Sequence, residues 1–384
     1  MKISILTPDL SHNCLGRAYL LAKILKRRYE VEVAGPMFGK GIWQPVANDT
    51  SINYKPLFLG KTFKIRKVLK AIDGKVIYAS KPLLTSFGLA LLKKITEKKP
   101  LILDIDDWQL GLAKENSRSF SLSTRLAFLA YSLLRFDKPT SYWNILFFEQ
   151  LTQLADKITV SNTFLQRKFK GIIIPHARDT NYFSPQKIDT VLARRHYGID
   201  KTKQVIMFCG HPRPYKGIED LIEAMSLIDN KNTILVIAGI SSENSYGQKI
   251  LKLAKQRLRN RFIALGIQKF CKLPQILAMA DIVVVPQRKN TATTGQTPAK
   301  LFDAMAMEKP IVSTKVSNIP KIIKDAGWLI PPENPRQLAD TIQYVLGHPA
   351  EAKKRAQKAR QVCVEKYSWH AVETTLVQIF KEYE

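Results

Sequence analysis

Acid is what this sequence is short of: 32 Asp and Glu stand against 60 Lys and Arg over 384 residues, a formal net charge of +28 at pH 7 with histidine neutral. Such an excess favours polyanionic partners, whether phosphorylated substrates, anionic lipid headgroups or nucleic acid. Cysteine is scarce too. Cys14, Cys209, Cys271 and Cys363 lie far apart with no metal-ligand spacing, so they suit a reducing compartment and read as core or loop residues. No run approaches the roughly 20 apolar residues that a spanning helix needs. The start, Met1-Lys-Ile-Ser-Ile-Leu-Thr-Pro8, is too short and strand-like for a signal peptide. A cytoplasmic protein is expected, with room for peripheral contact at the inner face of the membrane. Short-period repeats and low-complexity segments are missing. So is any RNA-recognition or helix-turn-helix signature, and the basic residues are not interleaved with aromatics in one patch; nucleic acid is not the expected partner.

What is present is globular: 45% hydrophobic and 24% charged residues, in a length that allows two ordinary domains. Apolar strand candidates alternate with helical patterns, first through Lys2–Leu6, Val31–Ala34, Val76–Tyr78, Leu101–Leu103 and Ile158–Val160, with helices over Arg17–Arg27 and Leu83–Ile95. The pattern restarts at Gln204–Cys209, with the helix Ile218–Leu227 and the strand Thr233–Ala238, and a polar seam lies between Pro185 and Lys203. Helical segments Pro335–Leu346, Ala350–Glu365 and Trp369–Tyr383 close the chain. Alternation of this kind predicts an α/β protein of two doubly wound, Rossmann-like domains facing each other across a cleft, with ligands outside the carboxyl ends of the strands.

Two strand-to-helix junctions point to phosphate. The strand candidate Ala280-Asp-Ile-Val-Val-Val-Pro286 leads through Thr291, Thr293, Thr294 and Gly295 into Gln296-Thr-Pro-Ala-Lys-Leu-Phe-Asp303, where Pro298 suits a first helical turn. Free N–H groups and the helix dipole make such a corner anion-binding. Lys300 and Asp303 project from the first turns, where a cation can meet phosphate and a carboxylate can meet ribose hydroxyls. The second junction is Cys209-Gly-His-Pro-Arg-Pro-Tyr-Lys-Gly217, in which Gly210 and the prolines make a tight turn carrying Arg213 and Lys216. A planar fork and a point charge are what a leaving diphosphate requires as charge builds on it.

With these segments in order, the chain resembles the retaining glycosyltransferases of the GT-B fold, in the large mannosyl- and glucosyltransferase group related to glycogen synthase. The resemblance rests on Asp179–Pro185 after Ile174-Pro, on Lys216-Gly217 followed by Asp220–Ala224, and on Asp303-Ala-Met-Ala306 with Lys309–Val312. Ala326–Pro331 and Tyr367-Ser-Trp369 extend it to the C-terminus. It implies an acceptor-side domain over residues 1–185, a donor-binding domain over 186–365 and a last helix, 366–384, packing back toward the first. It also implies a nucleotide-diphosphate hexose as donor, no cofactor or metal, and transfer to a lipid or polysaccharide hydroxyl. The donor contacts then fall on Gly16, Gly210, Lys216, Gly295, Gln296, Thr297, Pro298, Lys300 and Asp303, and Arg213 with Lys216 holds the leaving diphosphate on a front-face path that needs no protein nucleophile. The chain departs from the pattern in three places. Members often carry two glutamates around the donor loop; here Asp303 takes the second place and Gly295 the first. His211 stands where arginine is common. The N-terminal loop reads His12-Asn-Cys-Leu-Gly-Arg17 instead of bearing paired glycines, so Gly16 permits close approach and Arg17 offers a phosphate or acceptor contact.

Asp106 and Asp107 follow a buried strand and can orient or deprotonate the acceptor hydroxyl, or cap the next helix. His176 reads as structural. Between Ser119 and Leu151 an apolar, aromatic segment punctuated by Arg118, Arg125, Arg135 and Lys138 reads either as core helices or as an element docking on anionic membrane, which the basic run Lys61–Lys70 would assist. The reading drawn is a hexosyltransferase. The alternatives are a non-catalytic, nucleotide-binding homologue and a basic protein that binds nucleic acid or another polyanion.

Overall fold

Runs such as Val205-Ile-Met-Phe-Cys209 place apolar side chains on both faces of a strand, which only a sheet covered by helices on both sides can bury. The computed structural model describes residues 1–58, 65–117, 121–135 and 140–384 and contains two such sheets. The first holds β1 (Lys2–Leu6), β2 (Glu30–Pro36), β3 (Asn53–Leu57), β4 (Val76–Ser80), β5 (Leu101–Ile105), β6 (Lys157–Val160) and β7 (Ile172–Ile173), in the order β3-β2-β1-β4-β5-β6-β7. The second holds β8 (Gln204–Cys209), β9 (Thr233–Ala238), β10 (Phe262–Leu265), β11 (Ile282–Val285), β12 (Ile311–Thr314) and β13 (Trp328–Ile330), in the order β10-β9-β8-β11-β12-β13. Their strand pairs are parallel, as in β8 against β9 and β1 against β4.

Two compact units result. One comprises Met1–His176, Thr294–Thr297 and Val372–Glu384; the other comprises Ala177–Thr293 and Pro298–Ala371. In the second unit, strand alternation divides the core in two: Val205, Met207 and Cys209 join one cluster, while Ile206 and Phe208 join the other. In the first unit Leu6, Ile77, Ala79, Leu103 and Ile105 pack with Phe87 and Phe148. Its C-terminal piece lies in the helix Trp369–Lys381, whose Phe380 meets Tyr78 edge-on at 5.3 Å and whose Glu373 pairs with Arg27 and Arg28.

Local differences from the sequence reading have physical causes. β3 carries a proline and polar residues, tolerable because it is an edge strand. The expected helix over Leu83–Ile95 opens as a wider turn, Leu84–Gly88, before the α-helix Leu89–Glu97; a Cβ on Gly88 would come within 2.9 Å of the Phe148 ring. Of the apolar segment read as core or membrane element, the helix Leu122–Leu134 leaves Leu122, Tyr131, Leu133 and Leu134 exposed, whereas the helix Tyr142–Gln150 buries Ile145 and Phe148. Arg118, Ser119, Lys138 and residues 61–64 of the basic run lie outside the described residues.

Candidate functional site

In the second unit the build direction of the sheet reverses between β8 and β11, so the loops leaving their carboxyl ends flank a crevice. These are the two loops singled out by sequence, and they brace one another. Arg288 N–H donates to the Tyr215 carbonyl at 3.0 Å. Gly217, at φ +65°, sits so close to Pro286 that an added Cβ would lie 1.9 Å from the carbonyl oxygen. The Arg288 guanidinium forks onto Asp220 at 2.8 and 2.6 Å, tying the loop after β11 to the first turn of the helix Ile218–Leu227.

Lys300 reaches into this corner from the helix Ala299–Ala306, for which Pro298 is the cap, one position ahead of the first turn where the sequence placed it. Its Nζ lies 3.6 Å from the centroid of the Phe208 ring and would be 3.1 Å from a Cβ on Gly210, whose φ is +125°. Gly210 therefore both makes the turn and leaves room for the ammonium. Lys300 is only 9% exposed, and among the described residues no carboxylate lies within ion-pair reach of it. Burial pushes it well below the ordinary lysine value, and the charge of Lys216 pushes the same way against the pull of Cys209 and Asp303. Lys216 hangs its Nζ on the His211 carbonyl at 2.6 Å, and Arg213 stands half-buried at the start of the turn Pro214–Lys216. Asp303 is buried and ion-paired with Arg178, which also donates to the Ala299 carbonyl at 3.2 Å.

In the first unit Lys81, at φ +69° after β4, donates to Asp106 at 2.5 Å and to Asp107 at 3.0 Å. Burial opposes its charge, but the two carboxylates outweigh burial and hold it above the ordinary lysine value. Neither aspartate caps the following helix, Gln109–Asn116, whose capping position is Trp108; that alternative is overturned. Asp107 also accepts from Gln296 Nε2 at 3.1 Å. Gly295 lies against Trp108: a Cβ there would be 2.5 Å from the Trp108 Cβ, so a glutamate cannot be accommodated without moving the tryptophan. The Gly295 carbonyl accepts from Asn162 Nδ2 at 3.1 Å, and Thr297 is buried with its Oγ1 lacking a protein hydrogen-bond partner. Arg17 does not offer a phosphate or acceptor contact. It is buried, forked onto Asp104 at 2.9 and 2.8 Å and bonded to the carbonyls of Ile174 and Pro175. Gly16 lies against Trp43, where a Cβ would be 3.3 Å from the ring. His176 is buried as well. Among the described residues no group of three or more His, Cys, Asp or Glu is arranged to hold a metal ion, and no helix is long and apolar enough to cross a membrane.

Residues 190–362 match the family described as "Glycosyl transferases group 1". The chain carries a glycosyl transferases group 1 domain. Among curated proteins, alpha-D-kanosaminyltransferase of Streptomyces kanamyceticus is 25% identical over 193 residues, 49% of this chain and 48% of that protein. An uncharacterized glycosyltransferase of Methanocaldococcus jannaschii is 28% identical over 212 residues, 54% and 52% of the two chains. The chain thus spans about half the length of the curated relatives it matches. The Anabaena protein HepE, solved in complex with UDP and glucose, superposes with a TM-score of 0.76 at 17% identity over 99% of each chain, a likeness of fold. Two parallel-sheet α/β domains of GT-B type are what these comparisons and the topology share.

Within the group 1 domain the loop–helix corner converges as the sequence implied, bringing Gly210, Lys216 and Lys300 together. Arg178, Lys81 and Trp108 were not singled out. Arg178 directly precedes the segment Asp179–Pro185, but nothing local links it to a carboxylate 125 positions later. Lys81 follows a strand end, and only its left-handed backbone and its buried carboxylate partners mark it as special.

Proposed function

We propose that the chain is a retaining hexosyltransferase that moves a hexose from a nucleotide-diphosphate sugar to a hydroxyl of a lipid-linked or surface-polysaccharide acceptor. The observation that carries this reading is Lys300: a buried amine beside Gly210 and Lys216 with which, among the described residues, no carboxylate forms an ion pair. Two cations converging beside the start of a helix are suited to a diphosphate. Arg213, on the same loop, would add a bidentate contact as the diphosphate leaves. Asp303 in its pair with Arg178, together with Gln296, Thr297 and Pro298, would form the rest of the donor side; Asp106 and Asp107, braced by Lys81, would face the acceptor hydroxyl. The glycosyltransferase names of the relatives, and the UDP and glucose of HepE, support a nucleotide sugar and make UDP the first nucleotide to try. Contact with the inner face of the membrane is supported by the exposed Leu122, Tyr131, Leu133 and Leu134 near Arg125 and Arg135, within a strongly basic chain.

The test is thermal stabilisation by UDP, GDP and their hexose conjugates. A ligand at about a hundred times its dissociation constant adds roughly 2.7 kcal/mol. A selective rise in melting temperature that disappears in Lys216→Ala supports the reading; no rise with any nucleotide removes it. A second reading, a nucleotide-binding homologue without transfer, draws on Gly295: packed on Trp108, this position presents no side chain to a donor sugar. It is chosen if nucleotide binds yet membrane lipid extracts and oligosaccharides take up no labelled hexose.

A further inference from the structure

The corner between β8 and β11 holds a feature that diphosphate binding alone does not use. Lysine amines in protein interiors are ordinarily neutralised by a carboxylate or spread their charge into several carbonyl oxygens. Lys300 does neither. Its Nζ rests on the face of Phe208, beside the bare Cα of Gly210, with Lys216 as a second cation near enough to repel it. Asp303 on the same helix is engaged by Arg178, and Cys209 at the end of β8 is a buried thiol pushed up to about 12, so neither supplies a full countercharge. The other titratable or charged groups of the loop are His211, whose carbonyl holds Lys216, Arg213, which is a further cation, and Tyr215, whose carbonyl accepts from the Arg288 N–H; none of them is a carboxylate. The protein groups alone therefore disfavour two adjacent positive charges at this corner, and an anion entering it removes the penalty on both.

We propose that Lys300 is a proton-linked ligand of the diphosphate: when a nucleoside diphosphate enters beside Gly210, one proton moves from solvent onto the Lys300 amine, and the resulting ammonium binds the phosphate oxygens. The proposal rests on the donor-site reading above and adds to it a stoichiometry that a permanently charged site would not have. Affinity for the diphosphate then falls as pH rises through the interval in which free Lys300 has lost its proton and bound Lys300 keeps it. Arg213 does not share this behaviour, because a guanidinium stays charged throughout.

The experiment is calorimetric titration of the full chain with UDP in buffers of differing ionisation enthalpy. It runs at several pH values from about 7.5 to about 9.5, where the diphosphate is fully ionised and an ordinary lysine remains charged. The expected result is uptake of up to one proton per UDP bound within that range, with UDP affinity falling up to about tenfold per pH unit where uptake is complete. Lys300→Arg, charged at every pH, should bind UDP without uptake; Lys300→Met should bind weakly and without uptake. UDP binding by the wild type with no dependence of heat on buffer overturns the proposal while leaving the donor reading intact. So does uptake that persists in Lys300→Arg, since the proton then lands elsewhere. Failure of UDP and the other nucleoside diphosphates to bind at all removes the donor reading and this proposal together. Should the arginine variant not fold, the wild-type buffer comparison decides alone.

Discussion

Gly295→Ala is a small substitution with a large expected effect. An added Cβ would lie 2.5 Å from the Trp108 Cβ, 3.2 Å from its backbone nitrogen and 3.4 Å from the Phe164 ring. Carbon atoms in good contact sit at about 3.5–4.0 Å, so roughly an ångström must open between two backbone-proximal atoms. Trp108 is poorly placed to yield it. Its indole N–H donates to Glu149 at 3.1 and 3.3 Å, its ring meets Phe164 at 5.5 Å, and Lys168 Nζ lies over it at 5.1 Å. Overpacking of this sort costs about 1–3 kcal/mol. At roughly 2–4 °C per kcal/mol for a unit of this size, the melting temperature should drop by about 2–12 °C. Glutamate, the residue common at this place in the resembling family, should be at least as costly, so Gly295→Glu restores a motif without restoring a site. The assay is thermal unfolding of wild type, Gly295→Ala, Trp108→Ala and the double variant. In Trp108→Ala the indole contacts are already gone, but the Cβ remains. The double variant should therefore recover part of the alanine penalty, because the truncated residue can shift. Gly295→Ala melting within about a degree of wild type would refute the reasoning, because the clash would then have relaxed at no appreciable cost.

Arg213→Ala and Lys216→Ala should each lower hexose transfer by roughly 10²–10³ if they stabilise the departing diphosphate, measured as turnover of the nucleotide sugar identified by thermal shift; near-wild-type turnover in both removes that role. Arg178→Ala strands a buried Asp303 and should cost about 3–5 kcal/mol in chemical denaturation, with much of the loss recovered in Arg178→Ala/Asp303→Ala; equal loss in single and double variants refutes the pairing. The contribution of Lys309 to stability should rise with pH above about 8. Burial lowers folded Lys309 to about 8, so between that value and the ordinary 10.5 the unfolded side chain holds a proton that the folded one has lost, whereas buried thiols such as Cys209, pushed up to about 12, contribute in the opposite sense. Denaturant midpoints of wild type and Lys309→Met at about pH 7 and about pH 9.5 isolate the lysine: wild type should gain on the variant at the higher pH, and a constant difference contradicts the argument. Gly217→Ala, with φ +65° and the Pro286 oxygen 1.9 Å from the new Cβ, should destabilise the second unit far more than Gly198→Ala, which has φ +67° but open space around it; equal melting of the two variants refutes the close-approach argument.

Much of this protein is written in local pattern. Continuous apolar runs bounded by turn residues mark Gln204–Cys209 and Thr233–Ala238, and a shorter one marks Lys2–Leu6, because a strand covered on both faces has little freedom of composition. The corner between β8 and β11 is local as well: glycine and proline punctuation, then a lysine in the first turn of a helix, is chemistry carried by neighbours in sequence, and Lys300 does come up to Gly210 and Lys216. The match of residues 190–362 to the group 1 family draws on the same neighbours, since that stretch holds them in order. What sequence left open is whatever depends on partners far away along the chain. Whether Arg17 reaches a ligand or a buried carboxylate depends on Asp104, 87 residues later, and whether Asp106 and Asp107 cap a helix depends on Lys81. Gly295 read as an absence until Trp108 was found in the space a side chain would need. Charge type and spacing are properties of the chain, but which charges neutralise one another inside it, and which is left for a ligand, is decided only when the sheets bring distant strand ends together.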